Sequence, residues 1–127
     1  MAIRTELSLR LQNSPGALAG VCQLLSDERV NILAVDLEAG GLLRLVTDNP
    51  VHAAGVLRDR HHRLDEREII YTVMPNQPGA LAGVARLLAE AGVNIDYAYA
   101  SVVEGDRMVG IVVGVADPAR AAASAGL

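Results

Sequence analysis

The stretch that decides the fold is Asn13-Ser-Pro-Gly-Ala-Leu-Ala-Gly-Val-Cys-Gln-Leu-Leu-Ser-Asp-Glu-Arg-Val-Asn-Ile32. It returns 63 residues later as Asn76-Gln-Pro-Gly-Ala-Leu-Ala-Gly-Val-Ala-Arg-Leu-Leu-Ala-Glu-Ala-Gly-Val-Asn-Ile95. Thirteen of the 20 aligned positions are identical, which marks an internal duplication. Two copies are too few for a solenoid, so the chain reads as two tandem modules, residues 1–68 and 69–127.

Working outward, residues 3–11 alternate. Ile3, Leu7, Leu9 and Leu11 share one face, and Arg4, Glu6, Ser8 and Arg10 the other. That is the pattern of a half-buried strand. A turn with Pro15 follows, a residue suited to the first helical position. Leu18, Val21, Leu24 and Leu25 then recur at helical spacing, as do Leu81, Val84, Leu87 and Leu88 in the second copy. Gly92 suits the position just past a helix end, where positive φ is common. Arg29 stands there in the first copy, at a backbone cost if the geometry is shared.

Residues 31–38 read as a strand, Gly40-Gly41 as a hairpin turn and residues 42–47 as its partner. Asn49-Pro50 opens a second helix with Asn49 as its cap. The second module gives strands at 94–103 and 107–115, and Asp117-Pro118 opens its second helix. Pro50 and Pro118 lie 68 residues apart, so the second hairpin carries five extra residues. The order strand–helix–strand–strand–helix–strand is an α+β, ferredoxin-like βαββαβ module, with helices on one face of an antiparallel sheet. The first module's last strand falls near residues 63–68 and runs into the second module's first strand at 69–74. The second module lacks a last strand, because the chain ends at Leu127. That edge is expected to be bare or completed by another chain. Several strands look apolar on both faces: Leu33, Val35 and Leu37 oppose Ile32 and Ala34, and Val109, Ile111, Val113 and Val115 oppose Met108 and Val112. A homo-oligomer, most simply a dimer, is therefore expected.

Composition narrows the function. Of the 127 residues, 51% are hydrophobic and only 2% aromatic, with no Phe or Trp, so aliphatic side chains build the core. Such a chain is not disordered. No apolar run reaches the ~20 residues that span a bilayer. The start, Met1-Ala2-Ile3-Arg4, lacks a signal-peptide layout, and one cysteine, Cys22, gives no disulfide, so the cytoplasm is the expected location. The formal charge is −4 and the 11 arginines are interleaved with acids, so no nucleic-acid partner is expected.

The motifs Asn13-x-Pro15-Gly16-Ala17-Leu18 with Val30-Asn31-Ile32, and Asn76-x-Pro78-Gly79-Ala80-Leu81 with Val93-Asn94-Ile95, resemble the ACT-domain family. In particular they resemble small stand-alone proteins of two tandem ACT modules. The resemblance covers essentially the whole chain. It implies regulatory modules that bind amino acids or related small ligands, usually at an interface between modules. The residues support such a site independently. A helix N-terminus presents free N–H groups and partial positive charge to a carboxylate, and Gly16 and Gly79 leave room for close approach. If the resemblance holds, Asn13/Asn31 and Asn76/Asn94 carry over as ligand-contacting pairs, their amides supplying donors and acceptors. The same asparagines could instead close turns.

Among the remaining candidates, Asp96 reads as an exposed strand carboxylate, and Tyr97 and Tyr99 as packing residues. His52, His61 and His62 lack metal-ligand spacing and read as solvated. Cys22 reads as a small core residue. No metal, cofactor or catalytic residue is expected. Neither copy repeats a nucleophile–base or paired-carboxylate arrangement. Three functions stand: an amino-acid-binding regulatory module acting through oligomerisation or a partner, a ligand-free interaction module, and, less favoured, a small ferredoxin-like enzyme.

Overall fold

A computed structural model describes residues 3–127. Met1 and Ala2, where the leader reading begins, lie outside the described residues. The elements are β1 (Ile3–Arg10), α1 (Ala17–Asp27), β2 (Ile32–Leu37), β3 (Leu42–Thr47), α2 (Pro50–Asp59), β4 (Asp65–Pro75), α3 (Ala80–Glu90), β5 (Tyr97–Ser101), β6 (Met108–Gly114) and α4 (Pro118–Ala125). This is an α+β, ferredoxin-like architecture of repeated βαββα units. The chain divides into two compact units. One is Thr5–Arg67, and the other is Glu68–Leu127 together with residues 3 and 4 from the chain's start.

In the Thr5–Arg67 unit the strand order is β2-β3-β1, all antiparallel. Leu7 and Leu9 of β1 stand opposite Leu45 and Leu43 of β3. These four pack with Val21 and Leu25 of α1 and Ala53, Ala54 and Leu57 of α2 into an aliphatic core. Leu18 and Leu24 flank it, so the helical spacing of the repeat is the core stripe. The opposite sheet face is mixed: Ala34 and Val46 stand opposite each other on it and are buried, and the rest is more polar than expected. It carries Ser8 beside Arg44 and Asp36, and Arg10 beside Leu42. Arg44 Nη1 donates to Asp36 Oδ2 and Glu38 Oε1, both at 3.1 Å. On β2 the alternation is also broken by a β-bulge between Ile32 and Ala34. The extra residue changes the alternation, so Ile32 packs on the core while Val35 and Leu37 also face Leu45 and Leu43.

The second unit repeats the plan with order β4-β6-β5. Its core joins Ile70, Val109, Ile111, Val113 and Val115 to Val84, Leu88, Ala121 and Ala122. The away face is built differently here. Tyr97 stands opposite Gly114 and lies against it, and Tyr71 lies against Gly110. Tyr97 and Tyr99 stack with centroids 6.3 Å apart. Residues 3 and 4 of β1 belong to this unit as well. Ile3 packs against this core, and the Arg4 guanidinium lies 5.1 Å from the Tyr71 ring centroid. β4 in turn is a single strand whose first residues, 65–67, belong to the first unit.

The helix ends follow one rule. Arg29 and Val30 donate to Ser26 and Leu25, His61 and His62 to Arg58 and Leu57, and Gly92 and Val93 to Ala89 and Leu88. Gly126 and Leu127 likewise donate to Ala123 and Ala122. Each is a Schellman ending, which needs positive φ at its pivot. The second unit meets that need with Gly92 and Gly126, whereas the first holds Arg29 at φ 57° and His61 at φ 67°. At the helix starts, Asn49 accepts from the His52 N–H and Asp117 from the Arg120 N–H, as capping residues do.

Candidate functional site

The Pro-Gly pair of each repeat makes a type II turn before the helix, so Pro15 does not sit at the first helical position. The Ala17 N–H donates to the Ser14 carbonyl at 3.3 Å with Gly16 at φ 86°, ψ −7°. The Ala80 N–H donates to Gln77 at 3.2 Å with Gly79 at φ 90°, ψ −1°. Proline fixes the first central dihedral of such a turn and glycine supplies the positive one at the second. A Cβ at Gly16 or Gly79 would meet nothing within 4 Å. These glycines are therefore required by backbone conformation, not by crowding. Neither helix has a side-chain cap. The first return bonds run from Gly20 to Gly16 and from Gly83 to Gly79. The amides of Leu18 and Ala19, and of Leu81 and Ala82, thus lack an intrahelical acceptor.

A cavity of about 340 Å³ lies on this turn in the first unit. Gln12, Asn13, Ser14 and residues 16–19 form one wall, and Leu37, Glu38, Ala39 and Gly41 of the β2–β3 hairpin the other. The hairpin is held tightly to β1. Leu11 donates to the Gly41 carbonyl at 2.8 Å, and a Cβ at Gly41 would collide with the Leu11 carbonyl. The Asn13 side chain makes no hydrogen bond among the described residues. Glu38, absent from the sequence-based candidates, lines the hairpin wall, while its carboxylate is held on the other sheet face, with Oε1 accepting from Arg44 Nη1. Its sequence signal is slight: the last residue of an expected strand, just before a Gly-containing turn.

The equivalent cavity of the second unit has about 310 Å³ and a different lining. Asn76, Gln77 and residues 79–82 face Ala100, Val102, Val109 and Ile111. The five extra residues explain the change. They lengthen the β4–β6 ladder to Pro75↔Met108, and residues 103–107 of the turn do not line the cavity. Asn76 is drawn into this longer hairpin. Its Nδ2 donates to Asp106 O at 2.9 Å and Val103 O at 3.3 Å, and its N–H donates to Arg107 O at 2.8 Å.

The expected pairing of Asn13 with Asn31, and of Asn76 with Asn94, does not form within either unit. Asn13 precedes α1 and Asn31 follows it, and an 11-residue helix is roughly 16 Å long. Asn31 instead lines a separate cavity with Cys22, Ser26, Arg29, Val30 and Ile32. Its N–H donates to Asp48 Oδ1 at 2.9 Å, and Asp48 N–H returns a bond to its carbonyl at 3.0 Å. Asn94 and Asp96 share another cavity with Asp117 and Arg120. Ile32 and Ile95 pack on the two cores. Pro15 and Pro78 shape the turns without lining the cavities. Cys22 is half-buried at the Asn31 cavity and outside the core, because Leu18, Val21 and Leu25 take the inward stripe. Tyr97 and Tyr99 pack on the sheet as expected.

Comparison with known proteins agrees with this geometry. Residues 69–125 match the model of the ACT domain. The second module is an ACT domain. The first module is the other half of the duplication, and it carries the same turn, helix and hairpin around its own cavity. The chain is similar to protein BT0572 of Bacteroides thetaiotaomicron, at 27% identity and a TM-score of 0.85 over 96% of this chain and 85% of that one. The fold of the chain is also that of the aspartate kinase regulatory subunits. The ligand-free subunit from Thermus thermophilus is 17% identical with a TM-score of 0.70, covering 97% of this chain and 86% of that one. The subunit from Thermus flavus is 15% identical with a TM-score of 0.67, covering 98% and 89%. None of the curated proteins matches the chain. Among the described residues, no helix is long and apolar enough to cross a membrane.

Proposed function

We propose that this chain is a regulatory protein that binds a free amino acid in the turn–helix cavity of its first module. The observation that carries the reading is the complementarity of that cavity. Free amides of Leu18 and Ala19 at a helix N-terminus suit an α-carboxylate. The Asn13 amide, unbonded at the cavity wall, offers an oxygen acceptor to the ammonium group and N–H donors to the carboxylate. Leu37 and Leu18 leave an apolar edge for the side chain. The ACT-domain match supports a regulatory, ligand-binding role. In the second module Asn76 is already engaged and the walls are aliphatic, so its cavity is assigned at most an apolar ligand or a protein side chain.

On this reading the protein has no reaction of its own. It acts in the cytoplasm as a homodimer whose response reaches a separate partner. The half-exposed Val35 and Leu37 on β2 support self-association. Binding shifts the protein only as far as the two conformations differ in affinity. Thermal denaturation of the full chain with each of the twenty amino acids tests this. At 100 times its dissociation constant the right one stabilises by about 2.7 kcal/mol. A flat response to all twenty refutes amino-acid binding and leaves the ligand-free interaction module. Turnover of a small ester, lost on substituting one residue, would restore the enzyme reading.

A further inference from the structure

A second cavity of the first unit gathers basic groups that the amino-acid reading does not use. It is an open groove of about 630 Å³ between the end of β1 and the segment joining α2 to β4. Arg10, His61, His62 and Arg63 line it, with the Ser8 hydroxyl and one carboxylate, Asp65. We propose that this groove binds a small polyanion of the phosphate class.

The argument begins with charge. The chain carries a net −4, and most of its arginines are interleaved with acids. Arg44 and Arg58 show the ordinary pattern, each bound to carboxylates. In the groove that pattern fails. None of Arg10, His61, His62 and Arg63 forms an ion pair among the described residues, although Asp65 shares the lining. Two guanidiniums and two imidazoles therefore face one space with a single carboxylate against them. Leaving like charges together without partners is unfavourable in an isolated protein, and a bound anion removes that cost.

Local geometry fixes the donors in place. Arg10 Nη1 donates to the Gly40 carbonyl at 3.3 Å, which holds one guanidinium by the β2–β3 turn. His61 and His62 are positioned by the Schellman ending of α2, with bonds of 2.9 and 3.1 Å to Arg58 and Leu57. His61 keeps φ 67° at a pivot where glycine serves in the second unit. A strained residue retained at a cavity is a common mark of a working site. Guanidiniums present paired N–H donors that match phosphate oxygens, and an imidazole donates an N–H in either protonation state. The volume exceeds one phosphate, so the anion is expected to carry a further group over Ser8 and the adjacent leucines.

Isothermal titration of the full chain with inorganic phosphate and with pyrophosphate at low ionic strength tests the proposal. Saturable binding of pyrophosphate at one site per chain is expected, tighter than phosphate and weakened by salt. The double variant Arg10→Gln/Arg63→Gln should bind at least about tenfold more weakly, and His62→Gln a few-fold more weakly. Arg86→Gln, on α3, and Asn13→Ala, in the amino-acid cavity, should bind pyrophosphate as the parent does. Should the double variant fail to fold, the separate Arg63→Gln and His62→Gln variants carry the test. No saturation below about 10 mM overturns the proposal. So does affinity unchanged in the groove variants. Because Asn13→Ala separates the two cavities, failure of either assignment is read without the other.

Discussion

The two turn–helix cavities come from one ancestral sequence and have diverged through their hairpins. Both keep the type II turn, the uncapped helix and the free amides. In the first module a short hairpin ends on Glu38 and Gly41, close against Leu11, and leaves Asn13 unbound. In the second, five extra residues extend the ladder, take Asn76 as a fastening and bring Val102 and Val109 to the wall. The same asparagine thus faces a cavity in one copy and secures a hairpin in the other. A repeated residue is not evidence of a repeated role. What surrounds it decides.

The comparison can be broken by substitution. The largest effect is expected at Gly41. Its φ of 91° and its approach to the Leu11 carbonyl should make Gly41→Ala cost about 3 kcal/mol or more by urea denaturation. Gly105, in the longer turn, has φ 90° but open space, so Gly105→Ala should cost only about 1 kcal/mol. Equal costs would mean that the short hairpin is not pinned as described. Next, Asn76→Ala removes two side-chain bonds to backbone carbonyls and should destabilise the apo protein by about 1–2 kcal/mol. Asn13→Ala should stay within roughly 0.5 kcal/mol. A reversal of that order would place the fastening in the wrong module. The smallest effects belong to the helix ends. Gly92→Ala should cost about 1 kcal/mol, and Arg29→Gly should be neutral or gain a few tenths, since glycine relieves the strained pivot.

Much of this was legible in the sequence, for reasons that differ by element. The duplication and the 3.6-residue stripe of Leu18, Val21 and Leu25 give the helices and cores, because burial enforces those periods. Asn49 and Asp117 announce their caps directly. The bulge at β2 was not legible. One inserted residue leaves an apolar run looking the same while changing which side chains face inward. The contribution of Ile3 and Arg4 to the second unit was hidden too, since nothing in a strand's own pattern tells where its first residues pack. Which cavity each site residue lines was hidden in a similar way. Asn13 and Asn31 are close in motif but separated by a whole helix, and Glu38 reaches the cavity only through the hairpin.

The most direct test follows backbone amides while the amino acid selected by thermal screening is titrated into the full chain. Heteronuclear NMR reads each N–H separately. The Leu18 and Ala19 amides should shift as they hydrogen-bond the incoming carboxylate, with Leu81 and Ala82 nearly unmoved, and Asn13→Ala should weaken the response about tenfold. Shifts centred on Leu81 and Ala82, or on Asn31 and Asn94, would contradict the assignment of the amino acid to the first module's cavity.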